Sequence, residues 1–413
     1  MKKRILLIGY NYYPEPTGIG KYSGEMINWL ADKGYDCTVI TAYPYYPSWK
    51  IDDEYSKNKY WYKTEIKQFK SGGSIKIHRC PLYVPSNPTG IKRIILDFTF
   101  LVSAFLKLVQ LVFNSKYDFI ITIAPSFLFG LLGAMYKKIR GGKLFYHIHD
   151  LQIEAARNLG LIKSPKVIRL LFKLEDYIFS QCDVVSSISE GMVLKIQEKV
   201  KSEVFLLPNW ANTALFYPIA ARNNLKQEFG FDADDRIILY SGAIGEKQGL
   251  ETILHIADEF KGNHQLKFVI CGSGPYKQIL QDMVKNLGLT NVIFFPTQPF
   301  EKFNAFLNAA DVHLVIQKAN AGDLVMPSKL TTVLAVGGVA VITANEGSGM
   351  YTLVKKYDMG ILVKAEDQHA LSEGIQVALK RNCHISENAR SYAKQNLAVD
   401  NVMNSFEELL MKL

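Results

Sequence analysis

Short runs of β-branched and aromatic residues alternate with longer stretches of helical periodicity along almost the whole chain. The runs predict strands at 4–8, 37–42, 75–83, 119–124, 144–149, 184–189 and 204–208. A second series follows at 237–242, 267–272, 292–297, 312–317, 339–343 and 361–363. Several, such as 236–241 (Arg-Ile-Ile-Leu-Tyr-Ser), are almost continuously apolar, as parallel strands buried on both faces should be. The periodicity between them predicts helices over about 20–33, 250–260, 276–287, 301–309 and 368–380. Repeated βα units of this kind imply an α/β fold with open parallel sheets, and these strands are too many for one doubly wound sheet. The joint falls in 207–218, which carries Pro208, Asn209, Asn212 and Pro218. Two Rossmann-like domains are expected, 1–207 and 208–396, with a C-terminal helix over 397–413 packing back on the first. Their strand ends would form a shared cleft, closing about the 208–218 linker.

The same pattern argues against membrane spans. Lys2, Lys3 and Arg4 before four apolar residues imitate a signal peptide, but Gly9, Asn11 and Pro14 break the run, so a buried strand is expected. The longest apolar stretch, 94–113, contains Asp97, Lys107 and Gln110, whereas a spanning helix wants about 20 predominantly apolar residues. It reads as a helix that is buried or lies on a surface.

Composition changes the picture little. The 413 residues are 48% hydrophobic and 21% charged, with a mean hydropathy of +0.02, which excludes disordered and collagen-like classes. Five cysteines without Cys-x-x-Cys spacing exclude zinc ribbons and disulfide scaffolds and fit a reducing cytosol. Charge is the unusual quantity. Lys and Arg number 48 against 39 Asp and Glu, a net +9 with a pI near 9.0. An anionic partner is implied: nucleic acid, a phosphorylated metabolite or an acidic membrane.

Four strand-to-helix turns carry the candidate chemistry. The first, 11–23, reads Asn-Tyr-Tyr-Pro-Glu-Pro-Thr-Gly-Ile-Gly-Lys-Tyr-Ser. Gly18 and Gly20 permit close backbone approach to a ligand, and the following helix N-terminus offers free N–H groups. It is no Walker A loop, because Glu15 and Tyr22 stand where Gly and Ser/Thr are needed. It is no dinucleotide fingerprint either, since Ser23 takes the third glycine's place. A plain βα turn and an acceptor or phosphate loop both remain open. In the second half, Lys247 lies in the turn after strand 237–242, where a cation suits a diphosphate. Gly272 and Gly274 form another turn, with Pro275 placed to start a helix. Ser328 and Lys329 then follow Pro327 at a helix start, so hydroxyl, ammonium and free N–H groups would converge on an anion.

In this order the turns resemble the GT-B-fold glycosyltransferases of retaining glycosyltransferase family 4, over nearly the whole chain. The carriers are the Pro- and Gly-rich loop 14–21, the segment 184–192 and the Pro-Asn-Trp element 208–210 leading to Tyr217-Pro218. Glu246-Lys247-Gln248-Gly249, the Gly-Ser-Gly-Pro turn 272–275 and Pro-Ser-Lys-Leu at 327–330 complete them. The last variant is most similar to the colanic-acid and capsular-polysaccharide subgroup, some of whose members are described as fucosyltransferases. The resemblance implies a GDP- or UDP-linked sugar donor held mainly by the second domain, without metal or other cofactor. Lys247, Ser328, Lys329 and Gly18 would bind the diphosphate. Gly242, Gly272, Gly274, Gln298 and Thr332 would surround the nucleotide, and Thr17, Gly18, Ile19 and Gly20 would form the acceptor loop. Ala243 stands where the family usually carries arginine, and Leu324 and Thr332 where it carries paired glutamates; Asp323 is the nearest substitute for the first. Two other readings share the fold: a sugar-nucleotide epimerase and a catalytically degenerate binding protein.

Strand 144–149 ends in His147-Ile-His149-Asp150, and alternation puts both histidines on one face. His149 and Asp150 match the family's position near the reaction centre, and His147 is expected to be a satisfied core residue. Neither a metal site nor a Gly-x-Ser-x-Gly hydrolase elbow accompanies them. Between 57 and 93 lie nine lysines and arginines against Glu65 alone, interleaved with Tyr60, Trp61, Tyr62 and Phe69. This face suits an anionic membrane surface or a solvated loop better than nucleic acid, whose motifs are missing. The expected acceptor is a saccharide or its polyprenyl-diphosphate-linked form, met by a cytoplasmic protein peripheral at the inner membrane face.

Overall fold

The computed structural model describes residues 2–413 except 17, 115, 125, 159–161, 163, 319–326, 381 and 382, and gives the backbone alone at 114, 155, 158, 223 and 247. It divides into two units, Met1–Pro208 with Met403–Leu413, and Asn209–Val402.

The first unit contains β1 (Arg4–Ile8), α1 (Gly18–Asp32), β2 (Asp36–Ala42), β3 (Lys63–Gln68), β4 (Ser74–Cys80), α2 (Gly90–Asn114) and β5 (Phe119–Ala124). It continues with α3 (Phe129–Arg140), β6 (Lys143–Ile148), α4 (Gln152–Asn158), α5 (Pro165–Gln181), β7 (Val184–Ser187), α6 (Glu190–Gln197) and β8 (Val204–Leu206). The sheet order is β3-β4-β2-β1-β5-β6-β7-β8, parallel throughout except for β3. The central strands β1 and β5 are buried almost end to end, which explains why they read as unbroken apolar runs. α2 packs Leu96, Phe100, Ala104 and Leu108 into the core with Phe129 and Leu132 of α3. Its opposite face is also apolar, and Ile91, Ile94, Phe98, Val102 and Phe105 are exposed. The stretch read as buried or surface-lying is both.

The second unit contains α7 (Arg222–Glu228), β9 (Arg236–Ser241), α8 (Glu251–Glu259), β10 (Leu266–Cys271), α9 (Lys277–Leu287), β11 (Val292–Phe295), α10 (Phe300–Ala309) and β12 (Val312–Val315). Then come α11 (Ser328–Ala335), β13 (Ala340–Thr343), α12 (Gly349–Tyr357), β14 (Ile361–Val363), α13 (Gln368–Leu379), α14 (Cys383–Tyr392) and α15 (Val399–Met411), whose residues from Met403 onward belong to the first unit. All six strands are parallel in the order β11-β10-β9-β12-β13-β14. One face is covered by α8, α9 and α13 and the other by α10, α11 and α12, so both units are doubly wound α/β sheets.

Three expectations need correction. The basic stretch after residue 57 is only partly loop: Lys63–Gln68 forms the antiparallel edge strand β3 on β4. Its sequence, Lys-Thr-Glu-Ile-Lys-Gln, shows no buried face, because lysine-rich polarity is how an edge strand discourages further pairing. The strand predicted over 75–83 ends at Cys80. Pro275 does not start a helix: α9 begins at Lys277 with Tyr276 as its N-cap residue.

Candidate functional site

Chain direction diverges between β9 and β12 in the second sheet, and open α/β sheets bind ligands at the carboxyl ends of strands around such a point. The turn 242–245 follows β9, then a 3₁₀ turn, Glu246–Gln248, carries the Lys247 backbone and closes at Gly249 in the left-handed region (φ 66°). The turn 272–274 follows β10. The two turns continue the sheet past its strands, with Gly242 N donating to Cys271 O and Ile244 N to Ser273 O, both at 2.9 Å. A Cβ on Gly272 (φ 148°) would stand 1.9 Å from Gly242 O, and one on Gly274 (φ 157°) 2.0 Å from Ile244 O. These glycines let two backbones lie against each other, so they shape the loop that a ligand would meet.

α11 enters the same place from the other side. Pro327 is its N-cap residue and offers no side-chain hydrogen bond, so the N–H groups of the first turn stay available. Ser328 is exposed. Lys329 reaches the turn: its Nζ lies 3.7 Å from where a Gly242 Cβ would be and 3.8 Å from the centre of the Tyr240 ring. That Nζ is sealed from solvent and has no hydrogen-bond partner among the described residues. Burial holds the Lys329 pKa down to about 7. An unpaired ammonium out of water is costly, and the ring face offsets part of that cost. Tyr240 in turn donates its hydroxyl to Ala243 O at 2.7 Å. Around the rim, Gln298 Nε2 donates to Pro296 O at 2.9 Å, and Thr332 lies half-buried one turn along α11. Asp323 falls outside the described residues.

The first unit has its own switch point, between β1 and β5. His149 follows β6, its ring 4.5 Å from that of His147 and nearly perpendicular to it. His147 Nδ1 is 3.0 Å from Ser186 Oγ, so this buried imidazole has a polar partner. Burial, and for His149 also the neighbouring His147, pushes both imidazoles down, His147 to about 4 and His149 well below its usual value. Both rings are therefore neutral at pH 7. Asp150 follows, half-buried, and its charge helps raise the buried phenol of Tyr10 and the partly exposed one of Tyr46.

Two carboxyl groups that were not singled out as site residues stand beside it. Asp97 of α2 is hydrogen-bonded by Tyr10, Ser126 and Gln152, yet burial still lifts its pKa to about 6. Its signal was a lone acid in a 20-residue apolar stretch. Glu15 accepts from Asn11 Nδ2 at 2.8 Å and from the backbone N–H groups of Tyr45 and Tyr46 at 3.2 and 3.1 Å. Burial raises its pKa to about 7. The expected acceptor loop acquires a different interior. Gly20 faces Glu15, whose Oε2 would lie 2.5 Å from an added Cβ, while Gly18 (φ 59°) meets only Tyr46 at 3.9 Å. Ile19 is half-buried between them, and Thr17 lies outside the described residues.

Two doubly wound units, each with polar groups gathered at its switch point, define the architecture of nucleotide-sugar glycosyltransferases of the GT-B type. The family model for a glycosyl transferase 4-like domain matches residues 17–210, and that for glycosyl transferases group 1 matches 221–396. The chain is 39% identical over 411 residues to WcaI of Escherichia coli (strain K12), a protein named for glycosyl transfer in colanic acid biosynthesis, covering 98% of each. Its fold is similar to sucrose-phosphate synthase from Thermosynechococcus elongatus (TM-score 0.77, 18% identity, 100% and 99% of the two chains). It is similar too to Anabaena HepE in complex with UDP and glucose (TM-score 0.70, 15% identity, 100% of both chains). The chain belongs to this glycosyltransferase family.

Proposed function

We propose that the protein transfers a sugar, with retention of anomeric configuration, from a nucleotide-diphospho-sugar held by the second unit to a lipid-linked saccharide held by the first, in cell-surface polysaccharide assembly. The observation that carries the reading is Lys329, a buried ammonium without a hydrogen-bond partner among the described residues, beside the Gly242 turn at the start of α11. When the bond from the sugar's anomeric carbon to the diphosphate breaks, its electron pair leaves with the diphosphate. Lys329, Lys247 and the free N–H groups of α11 would compensate that charge, the role a metal ion takes in other transferases. Neutral His149 would donate a hydrogen bond to a sugar hydroxyl; Asp150 and Asp323 are the other proposed catalytic residues. The Asp97 cluster would accept from a hydroxyl of the acceptor, and buried Glu15 would hold the loop in place. The relative named for colanic acid biosynthesis and the HepE complex with UDP and glucose support this reading. Its test is a screen of nucleotide sugars for binding and slow hydrolysis to the nucleoside diphosphate. An epimerase would return a changed sugar nucleotide, and a degenerate protein would bind none.

The membrane part of the reading rests on α2 and its neighbours. The exposed apolar face of α2 is flanked by Lys92 and Arg93, and Tyr60 and Trp61 are 75% and 74% exposed. Tyr62 ties this segment to α2 by donating to Ser103 O at 2.9 Å. Apolar side chains bordered by cations and interfacial aromatics suit an anionic lipid surface. The protein is expected to cosediment with phosphatidylglycerol-containing vesicles at low salt, less so at 1 M salt where the Debye length is about 3 Å, and to lose binding in Phe98→Glu. Equal recovery with neutral vesicles, or none at low salt, contradicts it.

A further inference from the structure

Tyr240 was no candidate on sequence, where it is one residue of an apolar strand, yet it touches both halves of the donor site. Its ring carries Lys329 Nζ at 3.8 Å, and its hydroxyl, donating to Ala243 O at 2.7 Å, lies 3.5 Å from the position of a Gly242 Cβ. The rest of the side chain is buried. We propose that Tyr240 is a positioning residue of the donor site. Its ring holds the buried Lys329 ammonium at the glycine turn, and its hydroxyl fixes the carbonyl of Ala243.

The physical logic has two parts. A lysine has a long flexible stem, and ordering it on binding would cost rotamer entropy. A ring face that attracts the ammonium from one side pre-pays that ordering and leaves the N–H groups directed away from the ring for phosphate oxygens. A carboxylate in the same place would hold the lysine more firmly, but it would compete with the diphosphate and repel it. Second, Ala243 occupies the place of the arginine usual in the family, so fewer cations share the charge. Placement of the remaining ones then matters more. The inference rests on the reading of Lys329 as a diphosphate ligand.

A double-substitution cycle separates the two claims. UDP and GDP are each titrated calorimetrically into wild type, Tyr240→Phe, Tyr240→Leu, Lys329→Met and the two Tyr240/Lys329 combinations. Tyr240→Leu is expected to weaken binding about 10-fold, the scale of a desolvated cation–π contact. Lys329→Met should then cost about tenfold less in the Leu background than alone, yet its full penalty in the Phe background, where the ring remains. Additive penalties in the Leu background overturn the role of Tyr240. If Lys329→Met alone leaves UDP and GDP affinity unchanged, the donor reading itself fails. Should Tyr240→Leu not fold, the wild-type protein supplies a second measurement. The Lys329 side-chain protons should be shifted upfield by the Tyr240 ring current and move on UDP or GDP binding; an unshifted lysine contradicts the placement.

Discussion

Replacing Lys329 by methionine is expected to lower UDP or GDP affinity by about 10- to 150-fold, the equivalent of a charge-assisted hydrogen bond of about 1.5–3 kcal/mol. Methionine keeps an apolar stem against Tyr240, so the loss reports the charge and not a cavity. The pH dependence has a definite sign. The ammonium is the form that binds, and burial holds its pKa in the free protein down to about 7. A bound diphosphate favours the charged form and raises that value. Above pH 7 the free protein must therefore take up a proton as it binds, and affinity falls with rising pH, by at most about tenfold per unit for one proton. Below pH 7 this contribution is flat. The terminal phosphate titrates near pH 6, so calorimetry from pH 7 to 9 isolates the lysine. Wild type should weaken across that window, and Lys329→Met should not. A wild-type affinity independent of pH would place a permanently charged lysine at the site.

His149→Ala is expected to lower kcat by about 10²–10³-fold, the cost of one donor aimed at the transition state, with donor affinity changed less than about threefold. The pKa shift sets the form in which the imidazole works. Burial first, and the nearby His147 second, push it well below its ordinary value, so it is neutral at pH 7. It can donate or accept a hydrogen bond there but cannot deliver a proton as imidazolium. The kcat profile should accordingly show no step near pH 6.5 that the substitution removes. Turnover equal to wild type would move the role to Asp150 or to the Asp97 cluster. A step near 6.5 lost in His149→Ala would show that the ring is protonated during the reaction.

Much of the fold was legible because parallel strands buried on both faces announce themselves. β1, β5 and β9 read as nearly continuous apolar runs and lie at the centres of their sheets. β3 did not, since an edge strand with a solvated face carries no hydrophobic period. At the site, the sequence pointed to positions at strand ends and helix starts, which is where Lys329, Gly242 and His149 stand. It did not reveal what those positions touch. Gly272 and Gly274 read as places of close backbone approach, and the neighbour they make room for is the Gly242 turn. Tyr240 and Asp97 looked like core punctuation, because their roles come from contacts made across the sequence: Tyr240 with a residue 89 positions on, and Asp97 with groups after β1, β5 and β6.

The most direct measurement is a thermal-shift screen of nucleotide sugars followed by mass spectrometry of the incubated mixtures, on wild type and Lys329→Met side by side. One GDP- or UDP-linked sugar is predicted to raise the wild-type melting midpoint, to be converted slowly to free sugar and nucleoside diphosphate, and to give little shift with the variant. Absence of any shift or hydrolysis by wild type at millimolar nucleotide sugar would contradict donor binding at the second unit.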